Sequence, residues 1–333
     1  MVKTAIVILN WNTRNHLETF LPALLKYSVS DETKIFIADN ASSDDSIIFL
    51  QQTYPDVELI LLDKNYGFAE GYNIALNKIE AQYYIILNSD IEVTENWIDP
   101  LISLLDNNKT IGACMPKLKS YTDRESFEYA GAAGGYIDKL GYPFCKGRIF
   151  DTIEKDHGQY DGCFEIFWAT GACFVIKSEV FHQMGGFDPF YFAHQEEIDL
   201  CWRLQNAGYK IYCNTKSVVY HLGGGTLPKS NPYKTFLNFR NNMVLLYNNL
   251  PSKKRFYVLF LRLILDGIAA MKFLFDSKPG EFYSVIKAHY HFYRYILKNK
   301  NRTSPTSIPS LIFNKSIVVQ YYIKKKYTYN SLK

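Results

Sequence analysis

Asn88-Ser89-Asp90 closes an apolar run with one carboxylate behind two small polar residues. Such a grouping at the end of a buried strand can hold a hard divalent cation through oxygen. A cation held there can neutralise a diphosphate leaving group. Three other apolar runs end in the same way, in Asn10-Trp11-Asn12, Asp39-Asn40 and Asp63-Lys64-Asn65. One polar ending is ordinary loop chemistry; four at one edge of a sheet predict a binding site. The chain has neither a Walker-type loop nor a G-x-G-x-x-G after a strand, so it lacks the phosphate cradle of ordinary NTPases and dinucleotide-binding proteins.

These clusters need elements to position them. Apolar runs at residues 5–9, 34–38, 58–62, 83–87 and 111–115 are hydrophobic on both faces, the pattern of strands in a covered parallel sheet. Helical patterns at 16–27, 44–52, 69–79 and 96–105 lie between them, with Ser42 or Ser43 placed to cap the second. The alternation predicts an α/β fold, an open sheet with helices on both faces. Ligands of such sheets bind at the carboxyl ends of the strands. Farther along, strands are expected at 172–177 and 217–220, the second running into His221 and Gly223-Gly224-Gly225. A helix is expected at 195–207. Acids in its first turn, Glu196 and Glu197, have a plain structural use against the helix dipole. Asp199 and Arg203 are spaced as an intrahelical ion pair. Residues 120–165 read only as an irregular insertion rich in glycine and aromatics.

The 333 residues, 47% hydrophobic, can bury a large core. A net charge of +4 conceals a division: residues 1–226 carry 18 Lys and Arg against 30 Asp and Glu, whereas residues 227–333 carry 19 against 3. An acidic α/β domain over 1–226 and a basic, aromatic helical extension over 227–333 are expected. Residues 255–275 are the most apolar of the extension, but Arg262, Asp266 and Lys272 interrupt them, which argues against a membrane span. A helix lying on an anionic membrane surface and a helical cap on the first domain both fit, and are compatible. An acidic body with an apolar helix in its tail favours that surface over nucleic acid, although basic clusters serve either. Six scattered cysteines without a C-x-x-C pair suit reduced thiols better than a disulfide framework or zinc site. No basic-then-apolar leader opens the sequence. The expected location is cytoplasmic, peripheral at the inner face of the cell membrane.

Taken in order, seven blocks resemble family 2 glycosyltransferases: Val7-Ile8-Leu9-Asn10-Trp11-Asn12, Asp39-Asn40-Ala41-Ser42-Ser43-Asp44, Asn65-Tyr66-Gly67-Phe68-Ala69-Glu70-Gly71-Tyr72-Asn73, Leu87-Asn88-Ser89-Asp90, Thr170-Gly171-Ala172, Gly185-Gly186-Phe187-Asp188 and Glu196-Glu197-Ile198-Asp199-Leu200-Cys201-Trp202-Arg203. Within the family they look most like the rhamnosyltransferase-like branch that builds bacterial surface polysaccharides. The resemblance implies a GT-A fold, with a nucleotide-binding sheet and an adjoining acceptor half. It sets Asp39 on the pyrimidine or ribose of a nucleotide-sugar, where a carboxylate accepts N–H or O–H. Asn10, Trp11, Asn65, Asn88 and Ser89 would line the same pocket, and Asn73 would either join them or brace residues 65–67.

Asp90 would be the metal ligand of a D-x-D-like motif. Its first position is Asn88 here, which leaves one negative ligand. His221 would supply a second, a donor set suited to manganese or magnesium. The family reads Glu-Asp where this chain has Glu196-Glu197, which makes Glu197 the base by position and Glu196 the alternative. The base takes the proton of an acceptor hydroxyl as that oxygen attacks the anomeric carbon with inversion. Trp168 and Gly171 would border the acceptor. The implied donor is a dTDP- or UDP-sugar, rhamnose among the candidates, and the implied acceptor a lipid-linked glycan. Two other readings stay open. A nucleotidyltransferase would begin with a Gly-rich basic loop, which Trp11-Asn12-Thr13-Arg14-Asn15 is not. A sugar-nucleotide-binding protein of weak or no activity is compatible with the departures at Asn88 and Glu197.

Overall fold

The computed structural model describes residues 2–223, 231–299 and 305–333; the expected domain boundary at 226/227, and Gly224 and Gly225, lie outside them. The first half alternates as anticipated: β1 (Val2–Asn10), α1 (Arg14–Ser28), β2 (Thr33–Asp39), α2 (Ser46–Thr53), β3 (Glu58–Leu61), α3 (Gly67–Leu76), β4 (Ala81–Leu87), β5 (Ile91–Val93), α4 (Asp99–Asn107) and β6 (Ile111–Ser120). Neither Ser42 nor Ser43 caps α2, which starts at Ser46. Ser42 turns back to the first loop, its Oγ accepting from Asn10 Nδ2 and Asn12 N at 3.0 Å each.

The insertion folds into a small antiparallel sheet of β7 (Gly135–Ile137), β8 (Pro143–Cys145), β9 (Arg148–Ile149) and β10 (Thr152–Ile153). After it come β11 (Cys163–Ile166), β12 (Cys173–Lys177), α5 (Ser178–Gln183), α6 (Glu196–Asn206) and β13 (Lys210–His221). β13 is longer than the run at 217–220 suggests. Its pairing with β6 shifts register between Cys213 and Val218, where Asn214, Thr215 and Lys216 break the apolar pattern.

The large sheet runs in the order β11-β13-β6-β12-β4-β1-β2-β3, with β5 on β13. It is mixed, which corrects the parallel expectation. β1 pairs parallel with β2 and β4, and β2 with β3, but β12 enters antiparallel between β4 and β6. Hydropathy could not reveal this. Ile85, Ile86, Val175 and Ile176 are buried on alternating faces, and a two-sided apolar strand reads alike in either direction.

The extension is helical, with α7 (Pro232–Asn249), α8 (Ser252–Phe275) and α9 (Pro279–Lys298). Asn231 Oδ1 caps α7 by accepting from Tyr233 N at 2.8 Å. Met243 and Leu246 of α7, Tyr295 of α9, and Ile317 and Leu332 of the tail share one hydrophobic cluster with β1 and β4. Each large side chain buried there contributes about 1.5–3 kcal/mol. Among the described residues no helix is long and apolar enough to cross a membrane.

Candidate active site

Parallel pairing sets Asn10 opposite Asp39, so the ends of β1 and β2 finish level. Asn10 Nδ2 donates to Asp39 Oδ2 at 2.7 Å, and the Ser42 amide donates to Asp39 Oδ1 at 2.8 Å. Asp39 is only 1% exposed, with both oxygens already engaged within the protein. Trp11, which follows β1, is 39% exposed. Asn12 takes a positive φ of 55°, tolerated by asparagine, and its Oδ1 accepts from Ser43 N at 2.7 Å. Asn65 Oδ1 ties Asn40 Nδ2 at 3.1 Å and the Gly67 amide at 2.8 Å. Asn73 braces a different loop from the one anticipated. It donates to Phe187 O at 2.8 Å and accepts from Phe187 N at 3.0 Å, and so holds the Gly-Gly-Phe-Asp turn.

Asn88 and Ser89 lie half-buried where β4 ends, and the Asn88 amide donates to Ala172 O at 2.9 Å. Asp90 follows, buried, with Oδ1 3.1 Å from His221 Nε2 at the end of β13 and Oδ2 accepting from Gly223 N at 3.2 Å. Gly223 adopts φ +70°, and a Cβ there would come within 3.3 Å of Glu128 Oε1. Glu128, absent from the sequence expectations, approaches the other side of the imidazole: its Oε1 is 3.2 Å from His221 Nδ1. Burial alone would lower the His221 pKa, but Glu128 and then Asp90 outweigh it and raise it to about 10. Burial presses Asp90 upward, yet the facing His221 carries its pKa below the usual carboxylate value.

Does this end fit a divalent cation? Among the described residues no group of three or more His, Cys, Asp or Glu is placed to hold one. Asp90 and, once its imidazole gives up a proton, His221 would offer one oxygen and one nitrogen donor, with Glu128 on Nδ1 and Nε2 on the Asp90 side. That is the carboxylate–histidine arrangement that orients metal-binding imidazoles. Ions that keep waters and share a substrate's phosphates need only one or two protein ligands. The residues therefore fit.

Gly171, just before β12, connects this end to the acids of α6: a Cβ on it would lie 3.8 Å from Glu197 Cβ. Phe192, His194 and Gln195 all take positive φ (64°, 69° and 72°) immediately before the helix. Non-glycine residues rarely do this, and such strain gathers at functional sites. The turn delivers Glu196 buried and Glu197 partly exposed. One oxygen of each, Oε2, is buried without a hydrogen-bond partner. Burial raises both pKa values; the neighbouring Glu197 charge pushes Glu196 up further. Backbone N–H groups, that of Gly171 among them, partly offset burial at Glu197 and leave it at about 7. Trp168, expected beside the acceptor, belongs to the core instead. It is 3% exposed, its Nε1 donates to Tyr136 O at 2.9 Å, and it packs so tightly on Gly135 that a Cβ there would sit 2.1 Å away.

Helix α7 clamps the strained turn. Asn241 Nδ2 donates to Tyr191 O (3.0 Å), Ala193 O (2.8 Å) and His194 O (2.7 Å), and Asn242 Nδ2 reaches Gln195 Oε1 at 3.1 Å. Asn249 Nδ2 donates to Asp199 Oδ1 at 2.7 Å. Asp199 does pair with Arg203 at 2.7 Å, and Arg203 also donates to Met184 O and Gly186 O. The pair thus fastens the loop before α6. A signal for this clamp was present in the sequence: Asn241, Asn242 and Asn249 recur among the apolar residues of α7 that face the core. Nothing around Glu128 marks it, because it lies in a segment without periodicity.

Glu197, whose pKa burial raises to about 7, thus stands beside Gly171 just before β12, while Asp90 and His221 pair at the ends of β4 and β13. The family model described as "Glycosyl transferase family 2" matches residues 5–185. The N-acetylglucosaminyl-diphospho-decaprenol L-rhamnosyltransferase of Mycobacterium tuberculosis is 27% identical over 240 residues, 66% of this chain and 76% of that protein. A structure of GalNAc-T7 with UDP, GalNAc and Mn2+ superposes with a TM-score of 0.59 at 17% identity, over 76% of this chain and 49% of that one. The mannosyltransferase of Pyrobaculum calidifontis, solved with GDP-Man and Mn2+, gives 0.52 at 14% identity, over 91% and 76%. The fold is that of the GT-A glycosyltransferases.

Proposed function

Since the chain belongs to glycosyl transferase family 2, we propose that it moves a hexose, rhamnose foremost, from a dTDP- or UDP-sugar to a lipid-linked glycan with inversion. The rhamnose and the lipid-linked acceptor are suggested by the name of the mycobacterial relative. The observation that carries the reading is Glu197: a partly exposed carboxylate whose buried Oε2 has no partner, raised toward neutral pH beside Gly171. A base is most effective with its pKa near the working pH.

In the reaction, Glu197 accepts the proton of an acceptor hydroxyl while that oxygen forms a bond to the anomeric carbon. The bond from that carbon to the diphosphate oxygen breaks, and its electron pair leaves with the nucleoside diphosphate. Asn10, Trp11, Asp39, Asn65, Asn88 and Ser89 frame the donor, and Gly171 stands nearest the acceptor side. Asp90 and His221 would hold manganese or magnesium, and Glu128 would orient His221. A divalent cation bound there supplies charge neutralisation to the diphosphate. Attack of one carboxylate-activated oxygen without a covalent sugar–enzyme intermediate gives the inverted anomer. A lipid-linked acceptor places the work at a membrane surface, here the cytoplasmic face with anionic lipid.

A donor screen tests this. Nucleotide binding and nucleoside diphosphate release would be followed for dTDP-, UDP- and GDP-sugars with manganese or magnesium. Turnover of a dTDP- or UDP-sugar upholds the reading; no binding of any nucleotide-sugar, even with metal, defeats it.

A further inference from the structure

Helix α8 is inside out. Its inward side carries Arg262 and Asp266, 3% and 0% exposed, paired at 3.1 Å. His289 Nε2 of α9 meets the other Asp266 oxygen at 3.1 Å, and the Arg262 guanidinium lies 3.8 Å over the Tyr142 ring. Its outward side presents Phe256, Phe260, Ile264, Ile268, Met271 and Phe275 at helical spacing, with Phe256 82% and Phe275 80% exposed. A helix facing water shows the reverse pattern. The sequence expectation of apolar residues against basic ones is thereby refined, because two of the charges that interrupt the run, Arg262 and Asp266, point inward and pair, while Lys272 stays exposed.

Helix α9 extends the face with Tyr283, Ile286, Tyr290, Tyr293 and Leu297. Between the helices an open trough of about 730 Å³ is lined by Ile264, Ile268, Met271, Phe275, Phe282 and Ile286, with Lys272 at its edge. A contiguous apolar surface of this kind marks an interaction site. Charge identifies the partner. Exposed Lys253, Lys254, Lys278, Lys287, Arg294 and Lys298 surround the face. Of the acids in α8, α9 and their connection, Asp266 and Glu281 are buried and Asp276 is paired with Lys272. A second copy would press two basic rims together, whereas an anionic bilayer neutralises them. Tyrosines beside lysines suit the headgroup region, with aliphatic side chains below them.

We propose that the α8–α9 face is a monotopic docking surface for an anionic bilayer, its trough filled by acyl chains of the leaflet. The proposal deepens, and rests on, the reading of a membrane-borne acceptor. Contacts of α7 with both α9 and the turn before Glu196 make docking and catalysis one rigid arrangement: bilayer attachment fixes where the acceptor side faces.

The test is co-sedimentation of the full chain with vesicles of phosphatidylcholine alone or mixed with phosphatidylglycerol. Wild type is expected to bind the anionic vesicles at least about tenfold more tightly than the neutral ones. Ile268→Glu with Phe275→Glu should lose at least about tenfold in binding, with thermal midpoint and donor turnover in solution unchanged. Lys287→Glu with Arg294→Glu should abolish the preference for anionic lipid and serves as the second variant should the first fail to fold. Equal binding by wild type and both variants would overturn the docking face. Transfer to a lipid-linked acceptor by a wild-type chain that binds neither vesicle would overturn docking while leaving the acceptor reading intact. A wild-type dimer in sedimentation velocity that Ile268→Glu converts to monomer would assign the face to a second copy and also overturn it.

Discussion

Glu128 Oε1 lies 3.2 Å from His221 Nδ1, while the opposite ring nitrogen lies 3.1 Å from Asp90 Oδ1. The imidazole is held from behind by one strand-end loop and presented to the other. Loss of a carboxylate behind a metal-binding histidine typically costs about 10–100-fold in affinity. Glu128→Gln should therefore weaken Mn2+ binding in the presence of UDP by about that factor, read by electron paramagnetic resonance. Undiminished affinity in Glu128→Gln would show that the ring needs no such support.

The pH profile of kcat/KM should rise through about 7, because Glu197 acts only when ionised and burial holds its pKa there. Activity is lost as pH falls below that value. A flat profile between pH 5 and 8 would remove Glu197 from the proton transfer.

The same raised pKa has a cost in stability. A carboxyl whose folded pKa lies above its unfolded value of 4.5 leaves the unfolded chain binding fewer protons between the two, so stability falls as pH rises through that window. Glu197→Gln, which removes the titration, should raise the melting midpoint at pH 8 and leave it nearly unchanged at pH 4. An equal shift at both pH values would attribute the change to packing.

Asn249→Ala removes a buried donor from Asp199 Oδ1, leaving that oxygen the Tyr191 hydroxyl at 3.2 Å among the described residues. A buried group deprived of its partner costs about 1–3 kcal/mol. Urea denaturation should show that loss, and kcat should fall although Asn249 is remote from the substrate, because α7 holds the loop that carries Glu197. Full stability in this variant would show the clamp to be dispensable.

The strand–helix alternation and the polar strand ends were legible because a two-sided apolar run and a polar turn are local patterns. The structure sets Asn10, Asp39, Asp90, His221 and Glu197, which those patterns singled out, each at or beside an element's end. Strand direction was not legible: β12, antiparallel to both β4 and β6, reads the same from either end. Trp168 was not legible as a core residue, because its indole is held by Tyr136 O and packed on Gly135, partners more than 30 residues away in sequence. Glu128 stayed hidden because its partner is 93 residues away and its own segment has no period. The buried Arg262–Asp266 pair was read as a break in an apolar face, since sequence gives the spacing of charges but not the side they turn to.

The central claim is that Glu197 takes the acceptor proton, and Glu197→Gln tests it most directly. Transfer would be measured beside the affinity for the nucleotide-sugar with manganese present. The account predicts that kcat falls by about 10²–10⁴-fold while donor affinity stays within a few-fold of wild type. A Glu197→Gln enzyme that retains wild-type kcat would contradict it, and if Glu196→Gln were then the inactive variant, the base would belong to Glu196.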